Sequence, residues 1–405
     1  MNEIIVRGYN YSNKKLFNMK SAFLIFFLFS SLVLSAQQPE PVLGIAKQQK
    51  PTEWYIQQAK LWKQEIDKNN SNAKAWMYYY QANRNIFYTG DGTQPIVAGM
   101  TDSLQGIINK MSAAIPGTFE YNYLMNYHGS RFGNREDYFP YLLKAYEIDP
   151  NRREIIEDMV VYAETKGDEQ KKKDCLTNWY NGNYMSAGIL NWDYNLLQSC
   201  APNAVLFTNG DNDTFPAWML QEVKNVRTDI KIINTSLFLI DDYRKALCKE
   251  LNIPFLEIDF SKYKTDDELN SMIGNFIVKN IKSRPVYFAE SCDQKYYKSF
   301  EDSMYLEGLA LRYSEKKYDN VAVLRNNMEQ KFLLDYVKMD FRNDMAYEIV
   351  NNCNTNYIPP MVTLYNFYSE NKNKDKADYY KNLVLNIAAK AGMQEQMTEY
   401  FKDKK

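Results

Sequence analysis

Apolar residues recur at helical spacing in two stretches of the chain and form short continuous runs between them. Trp54-Tyr55 through Leu61-Trp62, a polar break at Asn69-Asn70 and then Ala73 to Arg84 predict one helical hairpin. Tyr121 to Tyr127 with Leu142 and Ala145 predict a second pair of helices about Gly133-Asn134, and Met159 and Leu176 a third about Gly167-Asp168. Asp149-Pro150 ends a helix, because proline lacks an amide donor and drives the residue before it out of the helical region. Near the C-terminus, Leu364 and Tyr368, the Asn371-Lys372-Asn373 turn and Ala377 to Ala391 predict a further hairpin, with Gly392 as its cap.

From Ala204 the period changes. Ala204-Val205-Leu206-Phe207, Ile230 to Ile233 and Pro285 to Ala289 read as buried strands, with Phe255 to Ile258 as a short fourth. Helices are predicted over Trp218 to Val226, Asp242 to Leu251 and Asp267 to Ile281. Strands alternating with helices predict right-handed crossovers and a mainly parallel sheet. The glycine turns at 133 and 167 are 34 residues apart, and Met125, Leu142, Ala145 and Pro150 fall at the matching places of a helix-turn-helix unit of that length, which resembles the tetratricopeptide repeat. Asn122 and Asn126 depart from that pattern. The fold class expected is therefore mixed: tetratricopeptide-like α-helical hairpins over residues 50–199 and 320–405, flanking a small Rossmann-like α/β domain over residues 200–312.

The N-terminal residues predict an address instead of structure. Met19-Lys20, the apolar run Ala22 to Leu34 and Ser35-Ala36 have the grammar of a secretory signal peptide, with cleavage expected after Ala36 and residues 1–18 as an upstream extension. The expectation is a periplasmic or secreted protein with no integral membrane domain, since no later run approaches the roughly eighteen apolar residues a membrane helix needs. The formal charge of −1 falls to −4 once four basic residues and one acidic residue leave with residues 1–36. Nucleic acid is thereby disfavoured as a partner, because phosphate neutralisation needs a basic surplus. The single histidine, His128, makes a histidine-rich zinc site or a Ser-His-Asp triad improbable. Five cysteines with no C-x-x-C spacing disfavour a metal or redox site and leave at least one unpaired within the chain.

Candidate chemistry gathers at the expected carboxyl ends of the strands, where open α/β sheets bind ligands. Thr208-Asn209-Gly210-Asp211-Asn212-Asp213-Thr214 follows the first, Asn234-Thr235-Ser236 and Asp241-Asp242 the second, and Glu290 and Asp293 the last. Such carboxylates suit Mg²⁺ or Ca²⁺, sugar hydroxyls or a cationic group. The same residues also suit a tight turn and a helix cap, with Asp213 or Thr214 capping the helix entered through Pro216. Asp211-Asn212-Asp213 resembles both the D-x-D of glycosyltransferases and the first motif of haloacid dehalogenase phosphatases, although the spacing to Thr235 is short for the latter. No G-x-G-x-x-G, Walker loop or activated nucleophile is present, and no cofactor is expected.

A longer match carries more weight. Val205 to Pro216, Trp218, Leu220-Gln221-Glu222, Val226-Arg227-Thr228-Asp229 and Asn234 to Leu237 resemble the soluble C-terminal region of bacterial relatives of transmembrane protein 260, which are classed with protein O-mannosyltransferases. Arg284 to Ala289 and Glu307 to Ala310 resemble later blocks of that region. The resemblance implies a stand-alone extracytoplasmic module with Asp211, Asn212, Asp213, Arg227, Asp229 and Asn234 as ligand-binding positions. Transferase chemistry is not implied, because it belongs to a membrane domain with no counterpart here. Arg227 and Asp229 also read as a pin for the helix-to-strand loop. The function expected is an exported binding or scaffold module for a protein, peptide or glycan, accessory to an envelope glycosylation system; the alternative is a metal-dependent enzyme working through the Asp211/Asp213 loop.

Overall fold

The computed structural model describes residues 38–89, 97–132 and 135–403. The expected leader and the Gly133-Asn134 turn lie outside the described residues. Among those residues are seventeen α-helices and one five-stranded sheet. The N-terminal helices are α1 (Thr52–Lys68), α2 (Ala73–Thr89), α3 (Val97–Ala114), α4 (Phe119–Phe132), α5 (Arg135–Ile148), α6 (Ile156–Lys166), α7 (Glu169–Asn181) and α8 (Ala187–Ser199). The chemistry of the turns sets their ends. Gly167 takes a left-handed φ of 68° and donates back to Ala163 and Glu164, closing α6. The Asp168 carboxylate then accepts from the Lys171 amide and opens α7, and the Ser186 hydroxyl does the same for α8 through Ile189.

The sheet is built from β1 (Val205–Thr208), β2 (Lys231–Asn234), β3 (Val286–Ala289), β4 (Met304–Leu306) and β5 (Ala310–Tyr313), in the order β2-β1-β3-β5-β4. β1 pairs in parallel with β2 and β3, Leu206 facing Ile232 and Tyr287. The crossovers run through α9 (Phe215–Lys224) and, from β2 to β3, through α10 (Asp241–Glu250) and α11 (Asp266–Asn280). β5 is antiparallel to β3 and to β4, so two of the four strand pairings are antiparallel and the sheet is mixed, not mainly parallel. Gly308, at φ 143°, makes the turn between the last two strands, and a Cβ there would meet Ser199 and Phe332.

Phe255 to Ile258 is not a strand. It is loop, because the Leu256 carbonyl is taken by the buried Arg244 guanidinium, which also holds the Phe238 and Leu239 carbonyls. The chain then continues through α12 (Asn320–Asn326), α13 (Asp335–Lys338), α14 (Tyr347–Asn354), α15 (Ile358–Glu370), α16 (Lys374–Lys390) and α17 (Gln394–Asp403). Gly392 has φ 73° after α16. One apolar cluster runs from Trp62 and Leu124 through Phe207, Ile233 and Phe288 to Leu364 and Val384, so helices on both sides share a core with the sheet.

Many of the Phe, Tyr and Trp side chains are buried or pack against this core, and the lone histidine lies among them: His128 accepts or donates at 2.8 Å with the Tyr80 hydroxyl and at 3.0 Å with Gln105, and burial lowers its pKa. All five cysteines are free thiols. Gly274 of α11 marks the closest approach in the sheet region, since a Cβ there would lie 1.6 Å from the Tyr296 carbonyl oxygen. Gly274→Ala should therefore destabilise the protein by about 1–3 kcal/mol in chemical denaturation, because moving backbone outweighs the ~1 kcal/mol gain in helix propensity. An unchanged denaturation midpoint would contradict that packing.

Candidate functional site

The loop after β1 is shaped by its own side chains. The Asp213 carboxylate accepts from the Asn209 amide at 2.7 Å, the Gly210 amide at 2.8 Å and the Ser291 hydroxyl beyond β3. Thr208 and Thr214 share a hydroxyl hydrogen bond of 2.7 Å, and the Asn234 amide donates to Thr214 at 3.0 Å while its oxygen accepts from Ser236 and Leu237. Buried Thr208, Asp213, Thr214 and Asn234 thus tie the carboxyl ends of β1, β2 and β3 into one network. Their polar atoms satisfy one another and the backbone, as burial demands.

Arg227 and Asp229 form a second internal device. Arg227 sits at φ 46°, and its guanidinium grips Asp229 through two bonds of 2.9 Å while donating to the carbonyls of Leu197, Cys200 and Ala201. Asp229 also accepts from the Asn203 amide at 2.8 Å, and the guanidinium holds its carboxyl down at about 2. The pair fastens the end of α8 to the segment entering β2.

Of the six residues expected to bind a ligand, Asp211 and Asn212 line a cavity, whereas Asp213, Arg227, Asp229 and Asn234 are committed to these internal contacts. The cavity measures about 280 Å³ and lies where the loop meets α7, α8 and the segment before α1. Its walls include Trp179, Tyr184, Met185, Ile189, Phe215 and Met345. Phe215, the first residue of α9, packs on Trp179 at 5.5 Å between ring centroids, so the loop and the helical wall are one unit. Asp344 accepts from Ser186 Oγ at 2.6 Å and from the Gly188 amide at 2.9 Å, which sets Met345 and Ala346 against the start of α8. At the rim Lys47 pairs with Glu157 at 3.0 Å, and Arg153 lies over the Tyr184 ring at 5.7 Å. Arg153 is half-buried, and its side chain makes no hydrogen bond or ion pair with the described residues.

Two carboxyls near the strand ends have unusual environments. Asp193 of α8 is fully buried, both its oxygens lack a hydrogen-bond partner, and Asp213 is its charged neighbour. Burial first and then Asp213 push its pKa well above the usual range. Burial pushes Asp213 up as well, but four donors oppose this, so the proton of the pair resides on Asp193. Glu290, next after β3, is pushed up to about 7 by burial alone. Among the described residues no group of three or more His, Cys, Asp and Glu side chains is arranged to hold a metal ion.

Arg153, Trp179 and Asp193 were not candidates from the sequence. The cavity wall comes from segments far apart in the chain, which no local motif announces. Asp193 did leave a signal: with Ile189, Trp192, Leu196 and Leu197 it falls on the apolar face of α8.

Residues 190–273 match the family model of TMEM260-associated domain 2, and the chain is related to that family. The match takes in about a fifth of the chain, including all six expected positions and Asp193, and ends before β3. No curated protein matches the chain.

Proposed function

We propose that this chain is a non-enzymatic binding module, exported to the periplasm or the cell exterior, that recognises a protein, peptide or glycan in the cavity beside Asp211 and Asn212. In this reading the flanking hairpins are tetratricopeptide-like, the sheet region is a Rossmann-like unit, and the module serves an envelope glycosylation system. The observation that carries it is the cavity itself: an amphipathic hollow at the carboxyl end of β1, walled by aromatic and methionine side chains, with polar groups from the loop at one edge. At about 280 Å³ it is at the small end of ligand pockets, room for one ring or one side chain. No helix among the described residues is long and apolar enough to cross a membrane. Against the enzymatic alternative, Asp213 has spent its carboxylate on the loop that carries Asp211.

A thermal-shift panel of peptides, glycans and nucleotide sugars, with and without Mg²⁺, Mn²⁺ and Ca²⁺, tests the reading. At least one peptide or glycan should raise the melting temperature by about 2 °C or more when present far above its Kd. Met345→Trp, which crowds the cavity from a half-exposed position, should abolish that shift. A nucleotide-sugar shift that requires a divalent cation and disappears in Asp211→Ala would favour the enzyme instead.

A further inference from the structure

The cavity contains a guanidinium whose donors the described residues leave unengaged. Lys47 pairs with Glu157, and Arg152 with Glu120 and Glu154, whereas the Arg153 side chain lies over the face of Tyr184 and acts on Glu154 and Tyr78 only through its charge. A half-buried guanidinium with its donors free, beside an apolar hollow, selects an anion joined to an apolar group. The hollow next to it, bounded by Met185, Ile189, Phe215 and Met345, suits an aliphatic or aromatic side chain. Asn212 and the uncommitted Gln48 side chain stand at the same wall, where they can meet amide groups.

The adjoining surface already holds an extended peptide by its backbone. Residues 40–48, which have no regular secondary structure beyond a turn, are gripped by side chains of α1 and α2. Gln58 accepts from the Glu40 amide at 2.7 Å, Trp62 donates to the Glu40 carbonyl at 2.8 Å, Asn85 donates to the Leu43 carbonyl at 2.8 Å and Tyr55 donates to the Gln48 carbonyl at 3.1 Å. Only Val42 of this segment is fully buried. Leu43 and Lys47 of the segment, together with Arg153, wall both this cavity and a neighbouring one that reaches Met77 and Tyr123. Recognition of main chain by amide, indole and phenol groups is what a second extended peptide would need.

We propose that the cavity captures the C-terminal end of a polypeptide, Arg153 pairing with the terminal carboxylate and the apolar hollow taking the last side chain. This rests on the cavity's being the binding site. The full chain is titrated with a fluorescein-labelled hexapeptide ending in leucine, as the free acid and as the C-terminal amide, followed by fluorescence anisotropy. The acid should bind about tenfold more tightly than the amide. Arg153→Gln should erase that difference, and Arg153→Lys should keep part of it; both remove a group without hydrogen bonds, and circular dichroism checks their fold. Equal affinities for acid and amide, still blocked by Met345→Trp, would overturn the carboxylate assignment and leave the cavity as the binding site. Arg153-dependent binding of glucuronate or decanoate without peptide binding would overturn the peptide assignment. Binding by no probe in this assay, together with no cavity-dependent ligand in the thermal-shift panel, would overturn both.

Discussion

Arg227→Ala is expected to destabilise the fold by about 2–4 kcal/mol, because it takes the charged donor from three main-chain carbonyls and the cation from a half-buried carboxylate. The guanidinium serves five bonds at once: two to Asp229 and one each to the carbonyls of Leu197, Cys200 and Ala201. Those carbonyls end α8 and begin the turn into β1; Leu197 keeps the Cys200 amide as a donor, but Cys200 and Ala201 lose the guanidinium, and Asp229 loses its cation. Lysine should not rescue the variant. A single ammonium has three donors and no planar fork, so Arg227→Lys should remain destabilised by about 2 kcal/mol or more. Arg227→Gly should be roughly 1 kcal/mol more stable than Arg227→Ala, because φ 46° costs an L-residue that much and glycine little. Urea denaturation with an unchanged slope gives all three values. A loss below 1 kcal/mol in Arg227→Ala would show that water replaces the guanidinium.

This outcome bears on what the chain's most recognisable stretch encodes. The three parallel strands, their crossovers and the flanking hairpins were legible because their apolar runs and helical periods are local. The β4–β5 hairpin was not: Met304 to Leu306 is only half-buried and interrupted by polar neighbours, so it presents no continuous run. The Thr208 to Thr214 loop showed its carboxylates in the sequence but not their targets. One-dimensional order cannot show that Asp213 turns inward to Asn209, Gly210 and Ser291 while Asp211 stays outside. Of the most engaged residues of the family match, Asp213 and Asn234 build the sheet's carboxyl edge, and Arg227 and Asp229 fasten the segments that enter β1 and β2 at the opposite edge. The ligand contacts proposed here come largely from outside the match, at Arg153, Trp179 and Met345.

The stability of the fold should fall as the solution turns alkaline, and Asp193 and Glu290 set the direction. Both carboxyls have folded-state pKa values above their unfolded ones, so between the two values the native chain holds a proton that the unfolded chain has released. Their contribution is complete below the unfolded value, near pH 4, and is lost as pH rises through the folded value. Each such proton lowers stability by about 1.4 kcal/mol per pH unit inside its window. For Glu290 the window runs from about 4.5 to about 7, so Glu290→Gln should be more stable than the parent by about 3 kcal/mol at pH 8 and nearly equal to it at pH 4. Asp193→Asn should show the same sign, because burial and the neighbouring Asp213 raise its carboxyl well above the ordinary range and its oxygens have no donor. Asp193 lies near Asp213, Cys353 and Tyr357, and Glu290 near Tyr297 and Cys292, with Cys292 also facing Asp213, so the double variant reads whether the two effects add. Urea midpoints for the parent, both single variants and the double variant from pH 4 to pH 9 measure this, the double variant having the flattest profile. A parent whose stability rises from pH 5 to pH 8 while both variants track it would mean that neither carboxyl is held protonated in the native state.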